Sequence, residues 1–403
     1  MNYDFNEVIN RKGTYCTQWD YVQDRFGEKD LLPFTISDTD FKIPVPITEK
    51  IKEVAAHEIY GYTRWNHADF KNSIAGHYGR RFNTPIQKEW ILYSPSVMYS
   101  VSLLIRLLSE EGDGVLTFDP MYDAFMNVIE QNHRKLIGHS LNAEEGWSID
   151  FERLDKELES ASILLLCSPH NPTGRVWTKE EMDQIVRLCK KHRVKIISDE
   201  IHMDIHLQGE APIPLLRYIG EYDGLYTASA ASKIFNVPGL IGSYVMIPDE
   251  AIRNAFLHQT RTMDFLNSAS IFGMHAIMTG YNECDDYIDQ LSAYVFENMK
   301  FVHDFLASQL PDFQFAIPQA TYLAWIDVSN VPFGAKEMQE ALVKVGNVAV
   351  MNGEVYGKNG KGYLRLNCGC PRTKLEEGLR RVKIAMDSLY DAKRKENADE
   401  KTV

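Results

Sequence analysis

The sequence predicts an α/β fold in which a mostly parallel sheet is covered by helices on both faces. From about residue 97, segments with helical periodicity alternate with short apolar runs, a pattern typical of parallel strands joined by helices. The runs are bounded by Gly, Pro, Asp or Ser and are too short to be helices, so each is a candidate strand. The predicted strands span residues 115–118, 163–167, 194–198, 225–228 and 244–247.

Helices are predicted between and after these strands. One is expected to run from residue 97 to 110, and another follows Thr178 and Glu181, which form a capping box before apolar residues at helical spacing. A last helix is predicted from an apolar stripe over residues 375–389. The charged tail, residues 391–403, is expected to fray.

The length of 403 residues exceeds what one core usually holds, so a large and a small domain are expected. The character of the sequence changes after about residue 284, where a long amphipathic segment leads to strand-like pieces. The predicted division is an N-terminal arm with part of the small domain (1–45), a large domain (46–283) and a small C-terminal domain (284–403).

Composition excludes several classes of protein. With 44% hydrophobic and 25% charged residues the chain resembles an ordinary globular protein, and its net charge of -13 disfavours nucleic acid and anionic membranes as partners. No secretory signal and no apolar run long enough to span a bilayer is visible, so a cytoplasmic protein is expected. The six cysteines are scattered, which favours reduced thiols over a disulfide framework.

Three polar residues, Asn171, Asp199 and Lys233, follow three of the predicted strands. Ligands of open α/β sheets bind at the carboxyl ends of the strands, so these side chains can converge there. Singly, each has an ordinary explanation as a turn residue, a helix cap or a surface charge. Together, an amide, a carboxylate and a lysine are the set that pyridoxal 5'-phosphate (PLP) requires.

Longer motifs surround these residues. The segments SPHNPTG, SDEIH, SAASKIFNVPGL and YLRLNCGCPR resemble, in order and spacing, those of the fold-type I PLP enzymes of the class I/II aminotransferase superfamily. Within that superfamily the chain is most similar to the MalY/PatB-type cystathionine β-lyases, through segments such as TYCTQWDYVQDRFG, GYTRW and PMYDAF. The resemblance covers nearly the whole chain. It implies a fold-type I PLP-dependent transferase fold and a homodimer whose active site lies at the subunit boundary.

The resemblance also implies roles around the cofactor ring. Lys233 is expected to bond the cofactor aldehyde and then to act as the base that removes the substrate's α proton. Asp199 is expected to keep a proton on the ring nitrogen, Asn171 to bind the ring's phenolic oxygen, and Tyr122 to stack on the ring. Arg365 is expected to bind the substrate α-carboxylate through two parallel hydrogen bonds.

Further residues are expected around the cofactor phosphate. The backbone N–H groups of Val97 and Met98, at a helix N-terminus, are candidate phosphate donors, and Tyr62 is expected to reach the phosphate from the neighbouring subunit. His202 lies where related transaminases often carry a tyrosine that contacts the cofactor, so a supporting role is expected. His202 and His206 are spaced like zinc ligands, but no third ligand accompanies them and no metal site is expected.

Two positions depart from the transaminase pattern. Ile241, in PGLIG, stands where related transaminases carry a phosphate-binding arginine, and this difference favours the lyases. Ala230 stands three residues before the lysine, where the superfamily usually has Ser or Thr. One phosphate hydrogen bond is therefore expected either to be missing or to be supplied by Ser229 or Ser232.

The resulting prediction is a PLP-dependent carbon–sulfur β-lyase that cleaves L-cystathionine to a thiol, pyruvate and ammonia, with L-cysteine or related conjugates as further candidate substrates. An aminotransferase using the same cofactor is the first alternative. A regulatory or interaction protein that retains the enzyme scaffold is the second, and the intact set of Lys233, Asp199, Asn171 and Arg365 argues against it.

Overall fold

The computed structural model describes residues 1–266 and 268–400 of the chain. This part divides into two compact units, each with a sheet of its own. The larger unit comprises Lys42–Ser292 with Met1 and Gln319–Thr321, and the smaller one comprises Asn2–Phe41, Ala293–Pro318 and the chain from Tyr322 onwards. The domain boundaries at residues 45 and 283 stay predictions.

Eleven strands form the two sheets in the described residues. In chain order they are β1 (Leu32–Phe34), β2 (Ile91–Ser94), β3 (Gly114–Asp119), β4 (Lys135–Ser140), β5 (Ala161–Cys167), β6 (Lys195–Asp199), β7 (Leu225–Ser229), β8 (Ser243–Met246), β9 (Leu323–Asp327), β10 (Val348–Asn352) and β11 (Tyr363–Asn367).

The α-helices of the described residues are α1 (Val22–Phe26), α2 (Val45–Ala56), α3 (Ala68–Phe82), α4 (Val97–Leu108), α5 (Asp123–Gln131), α6 (Phe151–Glu157), α7 (Lys179–His192), α8 (Glu250–His258), α9 (Ile271–Glu283), α10 (Asp285–Gln309), α11 (Ala335–Lys344) and α12 (Arg372–Glu400). Within the described ranges, no helix combines the length and the hydrophobicity needed to cross a bilayer.

The sheet of the larger unit has seven strands in the order β2-β8-β7-β6-β5-β3-β4. From β7 to β4 all neighbours are parallel, and β8 pairs antiparallel with both β7 and β2. Every residue of β3 and β7 is buried, which is expected when both faces of a parallel sheet are covered. The predicted α/β fold with a mostly parallel sheet is confirmed.

The sheet of the smaller unit is mostly antiparallel. Its four strands lie in the order β1-β10-β11-β9, and only β1 and β10 are parallel. The partner of Arg365 on β9 is Trp325, and its partner on β10 is Met351. Arg365 therefore lies in the middle of a central strand, with its backbone fixed from both sides.

Local sequence signals explain where several elements begin. The predicted capping box is present, because the Thr178 hydroxyl accepts from the Glu181 N–H while the Glu181 carboxylate accepts from the Thr178 N–H. The five predicted strands are confirmed to within two residues at either end. The prediction of a frayed tail is wrong for residues 391–400, which continue helix α12, while residues 401–403 lie outside the described part.

Replacing either of two helix glycines by alanine should change the free energy of unfolding, but in opposite directions for the two positions. A Cβ atom on Gly280, in α9, would lie 2.4 Å from the ring of Phe235, whereas a Cβ on Gly79, in α3, would meet nothing within 4 Å. Gly280→Ala should therefore lower the free energy of unfolding by about 1–3 kcal/mol through overpacking. Gly79→Ala should raise it by about 0.5–1 kcal/mol, because alanine favours a helix interior. Urea unfolding midpoints measure both effects, and shifts of the same sign would contradict this packing.

Candidate active site

The carboxyl ends of β5, β6 and β7 bring the central polar residues together. The strands are parallel and in register, so Cys167 is paired with Asp199 and Asp199 with Ala228. The Ser168 N–H donates to the Asp199 carbonyl at 3.0 Å, which joins the start of the Asn171 loop to the end of β6. The register of the sheet therefore places Asp199 at the centre of this edge.

Asp199 is a buried carboxyl with 4% of its surface exposed. Burial raises its pKa to about 6, whereas the Ile201 N–H, which donates to Oδ1 at 3.1 Å, and the nearby ammonium group of Lys233 act in the opposite direction. The carboxyl is thus ionised at neutral pH, in a place where an additional cation would stabilise it.

Lys233 lies in the turn that follows β7 and is half-buried. The turn is held by backbone bonds from Phe235 N–H to the Ala231 carbonyl and from Val237 N–H to the Ser232 carbonyl. Lys233 thus presents a primary amine close enough to Asp199 for their charges to interact. Asn171 is 3% exposed and lies two residues after Pro169, whose carbonyl accepts from the sulfur of Cys167 on β5 at 3.3 Å.

A histidine that the sequence did not single out supports the Asn171 loop. His170 is buried, its Nδ1 lies 2.8 Å from the Thr173 hydroxyl, and its ring packs against Trp177. Burial lowers the pKa of His170 to about 3, and the positive charge of Arg175 adds to the shift. His170 is therefore neutral and supports the loop by hydrogen bonding and packing.

The N-terminus of α4 offers an anion site. The Ser96 hydroxyl caps the helix by accepting from the Tyr99 N–H at 3.1 Å. The N–H groups of Val97 and Met98 belong to the first turn, where a helix has no carbonyl to bind them. Together with the positive end of the helix dipole, they can hold a phosphate without a basic side chain.

Other predicted residues of the larger unit lie in different surroundings. Tyr122 is the half-buried residue before α5, and its ring contacts Phe125 edge-on. His202 is 2% exposed, whereas the Tyr62 side chain is fully exposed. Ser229 donates its hydroxyl to the Glu200 carbonyl at 3.1 Å, so its proton is already engaged. Ser232 is half-buried in the Lys233 turn.

Arg365 belongs to the smaller unit and is buried there. Its Nη2 donates to the Thr35 carbonyl at 2.8 Å, and the guanidinium lies 4.6 Å from the ring centroid of Tyr356. Tyr356 in turn contacts Trp325 edge-on, and Trp325 stacks on Tyr363 with an interplanar angle of 1°. Aromatic rings thus fix the plane of the guanidinium. No motif in the sequence indicated this role for Tyr356.

The larger unit's residues fit PLP. A primary amine lies beside a buried carboxylate whose charge a protonated ring nitrogen would stabilise, and a capped helix N-terminus can hold a phosphate. Within the described ranges, no group of three or more His, Cys, Asp or Glu side chains could hold a metal ion.

The fold and these residues define an α/β enzyme of the PLP-dependent type. Residues 29–382 match the family described as aminotransferase class I and II, so the chain belongs to this family. The chain is 41% identical to protein MalY of Escherichia coli K12, over 94% of this chain and 97% of MalY. It is 35% identical to the cystathionine beta-lyase PatB of Bacillus subtilis 168, over 96% of this chain and 100% of PatB.

Solved structures show the same fold. A PLP-bound protein from Clostridium difficile 630, described as an aminotransferase, superposes with a TM-score of 0.93 at 36% identity, over 96% of this chain and 100% of that one. The PLP-bound C-S lyase from Staphylococcus hominis superposes with a TM-score of 0.90 at 27% identity, over 96% and 98% of the two chains. The predicted fold-type I fold and the resemblance to MalY and PatB are confirmed.

Replacing Asp199 by Asn should stabilise the protein when no small molecule is bound. Because the pKa of Asp199 rises from 3.8 to about 6 on folding, the folded chain retains a proton that the unfolded chain has lost in this interval, so rising pH favours unfolding. The gain in melting temperature of Asp199→Asn over wild type should therefore be absent below about pH 4, grow up to about pH 6 and then stay constant.

Differential scanning calorimetry from pH 3 to pH 8 measures the effect. This range extends roughly one pH unit or more beyond each end of the interval. Asp183 is the control, because its hydrogen bond with Lys179 lowers its pKa and Asp183→Asn should give no such gain. A gain for Asp199→Asn that is independent of pH would contradict the expected protonation.

Proposed function

We propose that this protein is a PLP-dependent carbon–sulfur β-lyase that cleaves L-cystathionine, with one water, to homocysteine, pyruvate and ammonia. The observation that carries the proposal is the buried Asp199 carboxyl beside the amine of Lys233, at the carboxyl ends of β6 and β7. The name of PatB, a cystathionine beta-lyase matched over its whole length, supports this reaction. L-Cysteine and related conjugates are further proposed substrates, since they carry the same β sulfur.

Bound PLP would supply an aldehyde that bonds primary amines and a protonated ring that draws electrons from the substrate's α carbon. In the proposed mechanism Lys233 provides the primary amine and, once the substrate amine has replaced it, accepts the substrate's α proton. Asp199 keeps a proton on the ring nitrogen, and Asn171 binds the phenolic oxygen. Tyr122 packs on the ring face, and the substrate sulfur leaves as a thiolate.

Arg365 is proposed to bind the substrate's α-carboxylate. A guanidinium that already donates to the Thr35 carbonyl and lies on the Tyr356 ring has little freedom to turn. It can therefore present its guanidinium in a fixed plane, which suits a carboxylate.

The phosphate is proposed to lie at the N-terminus of α4. Val97 and Met98 donate their backbone N–H groups there, and the Ser232 hydroxyl is the better candidate for the donor missing at Ala230, because Ser229 is already bonded to Glu200. Ile241 is 55% exposed and carries no charge. His202, buried three residues after Asp199, is proposed to support the cofactor site on the Asp199 side.

The lyase and its first alternative are distinguished by one assay. The family is named for aminotransferases, and an aminotransferase needs a keto acid to complete its cycle. Purified protein given L-cystathionine without keto acid should release pyruvate and a free thiol in equal amounts. Turnover that begins only after a keto acid is added would contradict the lyase.

Lys233→Ala is the matching variant. It should release no pyruvate, because both the covalent link to PLP and the proposed base are lost. Borohydride reduction of the wild-type holoprotein, followed by peptide mass mapping, should place the cofactor label on Lys233. A label elsewhere, or full activity of the variant, would refute the assignment.

We further propose a cytoplasmic homodimer in which Tyr62 completes the partner's phosphate site. Support comes from the exposed segment around Tyr62, where Ile59 and Tyr60 are also exposed and a groove of about 640 Å³ is lined by both apolar and polar side chains. Such a patch is typical of an interface. The segment is held in place by the Thr63 N–H, which donates to the Ser268 hydroxyl at 2.8 Å.

Mixing two impaired variants tests this sharing of residues. Tyr62→Ala and Lys233→Ala chains, unfolded and refolded together, should regain about a quarter of the wild-type sites, because half of the dimers are mixed and each has one complete site. Each variant refolded alone is the control. No recovery in the mixture, with dimers present by sedimentation, would contradict a shared site.

A further inference from the structure

Glu200 directly follows Asp199, and only 1% of its surface is exposed. The Leu215 N–H donates to its Oε1 at 2.7 Å, and the Tyr78 hydroxyl donates to its Oε2 at 3.1 Å. Among the described residues, neither oxygen is paired with a Lys, Arg or His side chain. A buried carboxyl with two neutral partners serves as a hydrogen-bonding group, since a buried charge needs stronger compensation.

The main chain of Glu200 joins two strands of the site. Its N–H donates to the Ala228 carbonyl at 2.9 Å, and its carbonyl accepts from the Ser229 hydroxyl at 3.1 Å. Both partners lie at the end of β7, four to five residues before Lys233. Glu200 therefore fixes the end of β6 against the strand that leads to Lys233.

The side chain of Glu200 anchors this junction to helix α3. Tyr78 is 1% exposed and contacts the ring of Tyr244 edge-on, and the Tyr244 hydroxyl lies 2.9 Å from that of Tyr281. In these dry surroundings burial raises the pKa of Glu200 to about 8, and the neighbouring Asp199 charge adds to the effect. Near neutral pH Glu200 is then mostly uncharged beside the charged Asp199.

We propose that Glu200 is a positioning residue for Asp199, which it holds in place relative to Lys233 through its hydrogen bonds. It touches neither cofactor nor substrate in this role. The role presupposes that Asp199 binds the ring nitrogen of PLP, as proposed above. The hydrogen bonds that hold the Glu200 side chain come from Tyr78 on α3 and from the backbone N–H of Leu215.

Two substitutions separate hydrogen bonding from charge. Glu200→Gln retains a group that can donate to the Tyr78 oxygen and accept from the Leu215 N–H, whereas Glu200→Leu retains the approximate volume and loses both bonds. The readouts are the dissociation constant of PLP from the apoprotein and the pH at which the absorbance of the bound cofactor titrates. Urea unfolding of each apoprotein reports stability separately.

Glu200→Gln should bind PLP as wild type does and leave the absorbance titration unchanged. Glu200→Leu should bind PLP about tenfold more weakly, the effect expected when buried donors lose their acceptor, and should shift the titration. Equal losses in both variants would overturn the proposal, because a charge would then be required. Wild-type affinity in Glu200→Leu would overturn it as well.

If Glu200→Leu does not fold, Tyr78→Phe tests the proposal in its place, since it removes only one of the two hydrogen bonds to Glu200. It should weaken PLP binding by about fivefold. Tyr281→Phe is its matched control, because this buried tyrosine bonds Tyr244 and should leave PLP binding unchanged. Equal PLP affinity in the two tyrosine variants would overturn the proposal.

Failure of this role and failure of the proposed function give different results. A wild-type protein without borohydride-reducible PLP on Lys233 refutes the function. A normal label on wild-type Lys233 with no effect of Glu200→Leu or Tyr78→Phe refutes the positioning role alone.

Discussion

The burial of the Asp199 carboxyl beside the Lys233 amine is the interaction on which the candidate site depends. An ionised carboxylate removed from water is stable only where nearby charges and hydrogen bonds compensate for lost hydration. The Lys233 amine and the Ile201 N–H supply part of that compensation, and burial still raises the pKa to about 6. The site thus retains a preference for one more positive group, which a protonated heterocycle would satisfy.

Parallel strands make this arrangement possible. Because β5, β6 and β7 end at one edge, the loops that leave them contribute an amide, a carboxylate and an amine without any one loop containing all three. The bonds around these ends are mostly between backbone groups or to buried side chains, as with Ser168 to Asp199. Functional side chains are therefore held by the sheet itself.

The sequence alone predicted the parts of this site that local patterns determine. Asp199 and Lys233 follow short apolar runs, and such runs mark strand ends without knowledge of the neighbours. Strand β4 was missed because its sequence, KLIGHS, mixes polar and apolar residues as an edge strand can. The prediction of a frayed tail was wrong because charged residues such as Lys395 and Glu396 are also good helix formers, and they extend α12.

Residues that depend on distant partners could not be found in this way. Glu200 meets Tyr78 across 122 positions, and Arg365 meets the Thr35 carbonyl across 330. Tyr356 likewise meets Trp325 only in the folded chain, whereas the partners of His170, Thr173 and Trp177, are close in sequence but form no pattern that marks a functional residue. At the N-terminus of α4, the proposed phosphate site relies on peptide dipoles and hydroxyl groups, and none of its proposed donors is a side-chain cation. Fixed dipoles at close range are screened little by mobile ions, so cofactor retention should tolerate high ionic strength better than in enzymes that rely on exposed arginines.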